Sequence, residues 1–270
     1  MGGPDGLAPP TPRGPGTLPY AIAPRTEGNP PVTALPQVRN RRAALLGAVC
    51  VLTLAGCGGG DPDAGTNGVG KLAADKIQSK SVTAAGAADA VRLSGTVLTS
   101  GKAYTLDMRL TSDGGSGSVT SKGSTFGLLR IGEQLYLKAD ADFWNDNGDS
   151  GTGDKLHGKY VKVPQGDPSY KKFSGFTDKD VLLSSLLTLH GSLATDGHHD
   201  QNGVRTIRIT GDKGSGGTLD VSLEGKPYPL RLVRAGGAGT LTFSDWGKSF
   251  TVKEPADDDT VDYGKQLPSS

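Results

Sequence analysis

Three clusters in this 270-residue chain carry side chains that could hold a metal or pair a nucleophile with a base. His198-His199-Asp200 offers two imidazoles and a carboxylate, a donor set suited to zinc. It lies between Thr195-Asp196-Gly197 and Gln201-Asn202-Gly203, a turn-rich stretch entering a strand. Adjacent strand residues point to opposite faces, so the trio reads as a solvated turn. Asp140, Asp142, Asp146 and Asp149 suggest calcium, but with Gly148 at the sixth loop position Phe143 would have to be the first ligand. Solvation at a helix exit accounts for them. Ser169-Tyr170-Lys171-Lys172 has the S-x-x-K spacing of a lysine-activated serine, yet the companion S-D-N and K-T-G motifs are missing and Pro168 places it in a loop. With no G-x-S-x-G, no P-loop and no G-x-G-x-x-G before a helix, the residues point to no enzyme, no metal and no cofactor.

A fourth group is more specific. Leu54-Ala55-Gly56-Cys57 sets small residues before a thiol, after a basic cluster (Arg39, Arg41, Arg42) and an unbroken small-and-apolar run from Ala43 to Leu54. These are the n- and h-regions of an export signal. At about 12 residues and ~1.5 Å rise, the run falls well short of the ~30 Å hydrocarbon core, so it is not a transmembrane helix. The tetrapeptide resembles the lipobox of bacterial lipoproteins, in which small residues fit the signal peptidase and the thiol takes the lipid. Residues 38–56 are therefore expected to be a lipoprotein signal peptide, with lipid attachment (palmitate as an acyl group) on Cys57 at the outer face of the cytoplasmic membrane. Residues 1–37, crowded with proline and glycine, read as disordered or not translated, with translation beginning near Val38.

The chain has two cysteines; Cys50 leaves with the signal and Cys57 is consumed by lipid, so the exported domain is held by its core and not by a disulfide. A net charge of +1 gives no electrostatic pull toward nucleic acid, and aromatics at 6% are too scattered for a base-stacking platform.

Residues 57–70 read as a flexible tether reaching on the order of 20 Å. Lys71 to Ser79 reads as a short amphipathic helix. From Val91 the period becomes two: Tyr104, Leu106, Met108 and Leu110 alternate with polar residues. Strands are expected over 91–99, 104–110, 116–121, 125–131, 133–139 and 160–163. A partial helix is expected around 140–145. Thr177 is the expected N-cap of a leucine-rich helix carrying Leu182, Leu183, Leu186 and Leu187 and closed by Gly191. Strands return over 203–210, 218–223, 228–234, 240–244 and 249–254, before a frayed acidic tail at 256–270. The class is α+β, with residues 71–255 as the domain.

Three stretches carry a family resemblance: Leu241-Thr242-Phe243-Ser244-Asp245-Trp246-Gly247-Lys248, Gly132-Glu133-Gln134-Leu135-Tyr136-Leu137 and Gly158-Lys159-Tyr160-Val161-Lys162-Val163. With the order of elements, they resemble the LppX/LprG family (LppX, LprA, LprF, LprG) of actinobacterial lipoproteins. The resemblance implies a strongly bent antiparallel sheet, a half-barrel whose concave face is covered by helices with an apolar cavity between. It also implies carriage of a lipid or lipoglycan between membrane and cell envelope. The expected cavity residues are Leu106, Met108, Leu110, Phe126, Leu128, Leu135 and Leu137, with Leu182, Leu186 and Leu187 as a lid. The same residues could close on one another as an ordinary core. That alternative makes the domain a ligand-free module docking protein partners through its sheet edge or convex face.

Overall fold

The computed structural model describes residues 61–147, 151–262, 264 and 267. The signal segment, Cys57 and Asp149 lie outside the described residues. Turn chemistry sets the first meander, β1 (Ala90–Thr99), β2 (Lys102–Thr111), β3 (Gly114–Ser121), β4 (Ser124–Ile131) and β5 (Gln134–Lys138). Ser100-Gly101 and Lys122-Gly123 hold consecutive residues at positive φ (50° and 70°; 54° and 86°), the turn whose twist matches that of paired strands. Asn202-Gly203 does the same between β7 (Leu193–Gln201) and β8 (Val204–Gly211).

With β6 (Tyr160–Val163), β9 (Gly217–Ser222), β10 (Pro229–Arg234), β11 (Gly239–Ser244) and β12 (Thr260–Asp262), the strands form one open twelve-stranded sheet in the order β12-β6-β5-β4-β3-β2-β1-β11-β10-β9-β8-β7. Every neighbouring pair is antiparallel except β12 with β6, which is parallel, so the sheet is mixed and not purely antiparallel. The two meanders join where β1 meets β11, with Leu93 opposite Phe243. Register sorts the strand ends into two sets. Thr99, Lys102, Ser121, Gly211 and Gly217 fall at one end, called upper; Ala90, Gly114, Gln201, Val204 and Ser222 fall at the lower.

One face of the sheet carries the core and takes the helices α1 (Ala74–Gly86), α2 (Ala141–Asn147), α3 (Thr152–Leu156), α4 (Pro168–Thr177) and α5 (Lys179–Leu186). The lead helix thus runs from Ala74 to Gly86 and buries Ile77, Ser81 and Ala85 at helical spacing. Residues 169–172, expected in a loop, begin α4. Pro168 sits in its first turn, where no amide donor is needed, and Asp167 caps it by accepting from the Ser169 N–H. The cap of α5 is Asp178 and not Thr177; its carboxylate accepts from the Val181 N–H at 2.9 Å, while the Thr177 hydroxyl bonds back to the Ser174 carbonyl.

Three stretches depart further from expectation. The anticipated strand 249–254 does not form. The chain after β11 runs past strands that already have two partners, from the Gly247 N–H on the Ala90 carbonyl to Glu254, which accepts from Tyr136 of β5. The described part of the acidic tail is tied down, because β12 pairs with β6 and the Leu267 N–H donates to Asp167 Oδ2. Residues 61–70, expected within a flexible tether, are docked at the lower end of the sheet. The Asn67 N–H donates to the Leu223 carbonyl at 2.8 Å and its amide to the Ser222 carbonyl at 2.9 Å, and Val69 is buried in the core.

Candidate functional site

The alternation in β2 and β4 places Leu106, Met108, Leu110 and Leu128 on the helix-covered face, joined by Leu135 and Leu137 of β5. Opposite them β3 presents Gly115 and Gly117, which have no side chain to fill the space. The neighbours fill it instead. A Cβ on Gly117 would lie 2.8 Å from Met108 Sδ, and one on Gly115 would lie 2.6 Å from Leu110 Cδ2. Leu182, Leu186 and Leu187 belong to the same core, and all nine aliphatic residues expected to line a cavity are buried. Met108 has no exposed surface at all. The apolar cup drawn from the sequence is thus occupied by its own side chains.

The tenth residue, Phe126, behaves differently. It is half-buried and lies in an open groove of about 420 Å³ near the upper ends of β2, β3 and β4, where α2 and α4 approach the sheet. Its ring meets Phe143 edge-on at 4.9 Å and Phe173 at 5.6 Å; Tyr104 of β2 meets Phe176 at 5.7 Å. Such pairs add ~0.5 to 1.5 kcal/mol each beyond burial and make a rigid apolar wall. Lys102, Lys122 and Lys172 stand on the rim, with Asp146 as the one carboxylate lining it among the described residues. Lys172 also lies 5.2 Å from the centre of the Phe173 ring. An apolar wall with a mostly cationic rim can take an amphipathic ligand that carries negative charge. Sequence reasoning names Phe126 but misses Tyr104, Phe143 and Phe173, because these come from three elements whose meeting no local spacing encodes.

Among the described residues no group of three or more His, Cys, Asp or Glu is placed to hold a metal. His198 and His199 lie within β7, not in a turn, and take separate partners: Asp63 Oδ1 at 3.1 Å and the Asp196 carbonyl at 2.9 Å. Asp140 accepts from the Phe143 N–H in the first turn of α2. Ser169 and Lys172 ride on α4, with the serine amide engaged by Asp167.

On the other face, polar residues pair across strands. Asp220 of β9 is buried and accepts from Arg208 of β8 at 2.6 and 3.0 Å and from Gln201 of β7 at 2.9 Å, with Arg231 of β10 4.0 Å away. The hydrogen bond to Asp220 raises the Arg208 pKa. The Arg92 guanidinium holds the Asp107 carboxyl below its ordinary range. These contacts tie neighbouring strands together.

No family model matches this chain, and no curated protein does. Solved structures do. LprF from Mycobacterium bovis is 18% identical, with 68% of this chain and 97% of that one covered and a TM-score of 0.47. The lipoprotein LppX from Mycobacterium tuberculosis is 15% identical, with 66% and 99% covered and a TM-score of 0.37. An uncharacterised conserved protein from Thermus thermophilus is 13% identical, with 70% and 98% covered and a TM-score of 0.32. The chain is thus similar in structure to two mycobacterial lipoproteins, LprF and LppX.

Proposed function

We propose that this chain is an envelope lipoprotein, anchored through Cys57 to the outer face of the cytoplasmic membrane, whose domain binds the acyl chains of a lipid or lipoglycan and carries it between membrane and cell envelope. The anchoring half rests on Leu54-Ala55-Gly56-Cys57 behind its basic and apolar leader. The binding half rests on one observation, the aromatic groove of about 420 Å³ at Tyr104, Phe126, Phe143 and Phe173, which lies within the ~300 to 1,000 Å³ range of ligand sites. Exposing a long acyl chain to water costs on the order of 12 kcal/mol at ~0.8 kcal/mol per methylene, and an apolar wall beside the membrane lowers that barrier. The closed core sets the mode. An acyl chain on the groove would go deeper only by parting α4 from β2–β4, so binding is expected to open the domain.

A ligand-free interaction module is the second reading, and the complete burial of Met108 favours it. One experiment separates the two. The chain from Cys57 onward is purified without detergent, incubated with vesicles of envelope lipids, re-isolated and examined by native mass spectrometry. Bound lipid that falls sharply in Phe143→Asp supports carriage; a lipid-free parent after incubation overturns it and leaves the module.

A further inference from the structure

The docked segment 61–72 bears on how the domain stands on its membrane, an inference that rests on Cys57 as the lipid-bearing residue. The segment is built into the fold by several independent contacts. Asn67 bridges the Ser222, Leu223 and Gly225 carbonyls, Arg205 donates to the Ala64 carbonyl at 3.2 Å, and Asp63 Oδ1 sits 3.1 Å from His198 Nε2. A Cβ on Gly70 would collide with the Asp63 carboxylate, so the segment folds tightly on itself as well. Only Gly58, Gly59 and Gly60 separate Cys57 from Asp61. At ~3.3 to 3.6 Å per residue, fully extended, Cys57 and Asp61 are at most about 14 Å apart.

Lys226 lies next to Gly225, an Asn67 partner, in the loop joining the lower ends of β9 and β10. Thr99 marks the upper end of β1, whose ten residues at ~3.3 Å each span on the order of 30 Å. The leash is therefore shorter than the strand. Lys102, paired with Thr99, and Lys122, in the turn between Ser121 and Ser124, share the upper end.

We infer that the docked segment seats the domain with the lower end of β7–β10 against the lipid surface that holds its anchor, and turns the cationic mouth of the aromatic groove away from that surface. The partner is the chain's own bilayer. A cargo acyl chain is then handed over at the outward end, toward the layer beyond the membrane.

The test couples the chain from Cys57 onward, through its sole thiol, to a maleimide-headgroup lipid in phosphatidylcholine vesicles. A benzophenone amino acid replaces either Lys226 or Thr99, and lipid adducts are counted by mass spectrometry after irradiation. Several-fold more adduct at position 226 than at 99 is expected. A long Gly-Ser insertion after Gly60, or Asn67→Ala combined with Asp63→Ala, should shrink the difference. Equal adducts in the parent, an excess at 99, or no effect of the long insertion would each overturn the inference. Because the coupling is chemical, failure of lipidation on Cys57 in cells would show separately, as a precursor lacking lipid.

Discussion

Tyr136 Oη donates to Glu254 Oε1 at 2.5 Å, joining a buried ring of β5 to a chain segment 118 residues away. This bond pins the strap after β11 onto the sheet in place of the strand pairing that the strap lacks. Burial, reinforced by Glu254, pushes the phenol pKa from its usual 10 up to about 12. The folded state therefore favours the neutral phenol, and that contribution is complete below pH 10 and lost as pH rises from 10 to 12. Urea unfolding at pH 8 and 11.5 should show a larger loss for the parent than for Tyr136→Phe. At pH 8 the variant should be ~1 kcal/mol less stable, since the exposed Glu254 can turn to water.

Met108→Trp should overpack the core and destabilise by ~1 to 3 kcal/mol, because the side chain has no exposed surface and its sulfur already fills the space over Gly117. Had the strand lined an empty cavity, the same change would leave folding intact. Thermal melts of parent and variant decide it.

Asp220→Ala should cost ~2 to 3 kcal/mol, at or below the usual range for breaking a buried pair, because Arg208 keeps partial access to water. The loss should persist in high salt, since the carboxylate is screened little at its depth. Denaturant midpoints at low and high ionic strength check both statements.

Asp178→Ala removes the α5 cap and the carboxylate 3.5 Å from Arg130, and should lower stability by ~1 kcal/mol. Hydrogen exchange should show the loss concentrated in the first turn of α5.

Cys57→Ser removes the thiol needed for lipid attachment. The variant should accumulate as uncleaved precursor and leave the membrane fraction, as read by fractionation and intact mass. Equal membrane retention would remove the anchoring half of the proposal.

The strands were legible wherever alternation and turn chemistry agreed, as from Tyr104 to Leu110 or through Asn202-Gly203. They were illegible where the decisive term was remote. Phe250 and Val252 alternate like a strand, but every strand they pass is already paired on both sides. His198 and His199 sit in polar surroundings, but β8 supplies a free edge, and so β7 forms. Pro168 suggests a loop when read alone; with Asp167 before it, it is the start of a helix. The candidate site was half legible. Alternation put Leu106, Met108 and Leu110 on the covered face, but nothing local shows that Gly115 and Gly117 leave room for Met108 and Leu110 to close it. The aromatic groove depends on β2, β4, α2 and α4 meeting, which is a property of the fold.

The pairing of β1 with β11 also governs when the domain can fold. The central strand of the sheet waits for a partner about 150 residues later in the chain, Leu93 for Phe243. Contacts of such sequence separation form slowly, since the loop between them must close first. During synthesis the first meander would hold β1 with one edge unsatisfied until β11 emerges. Under the proposed export this delay has a use: the topology keeps the chain unfinished, and so threadable, until β11 has been made.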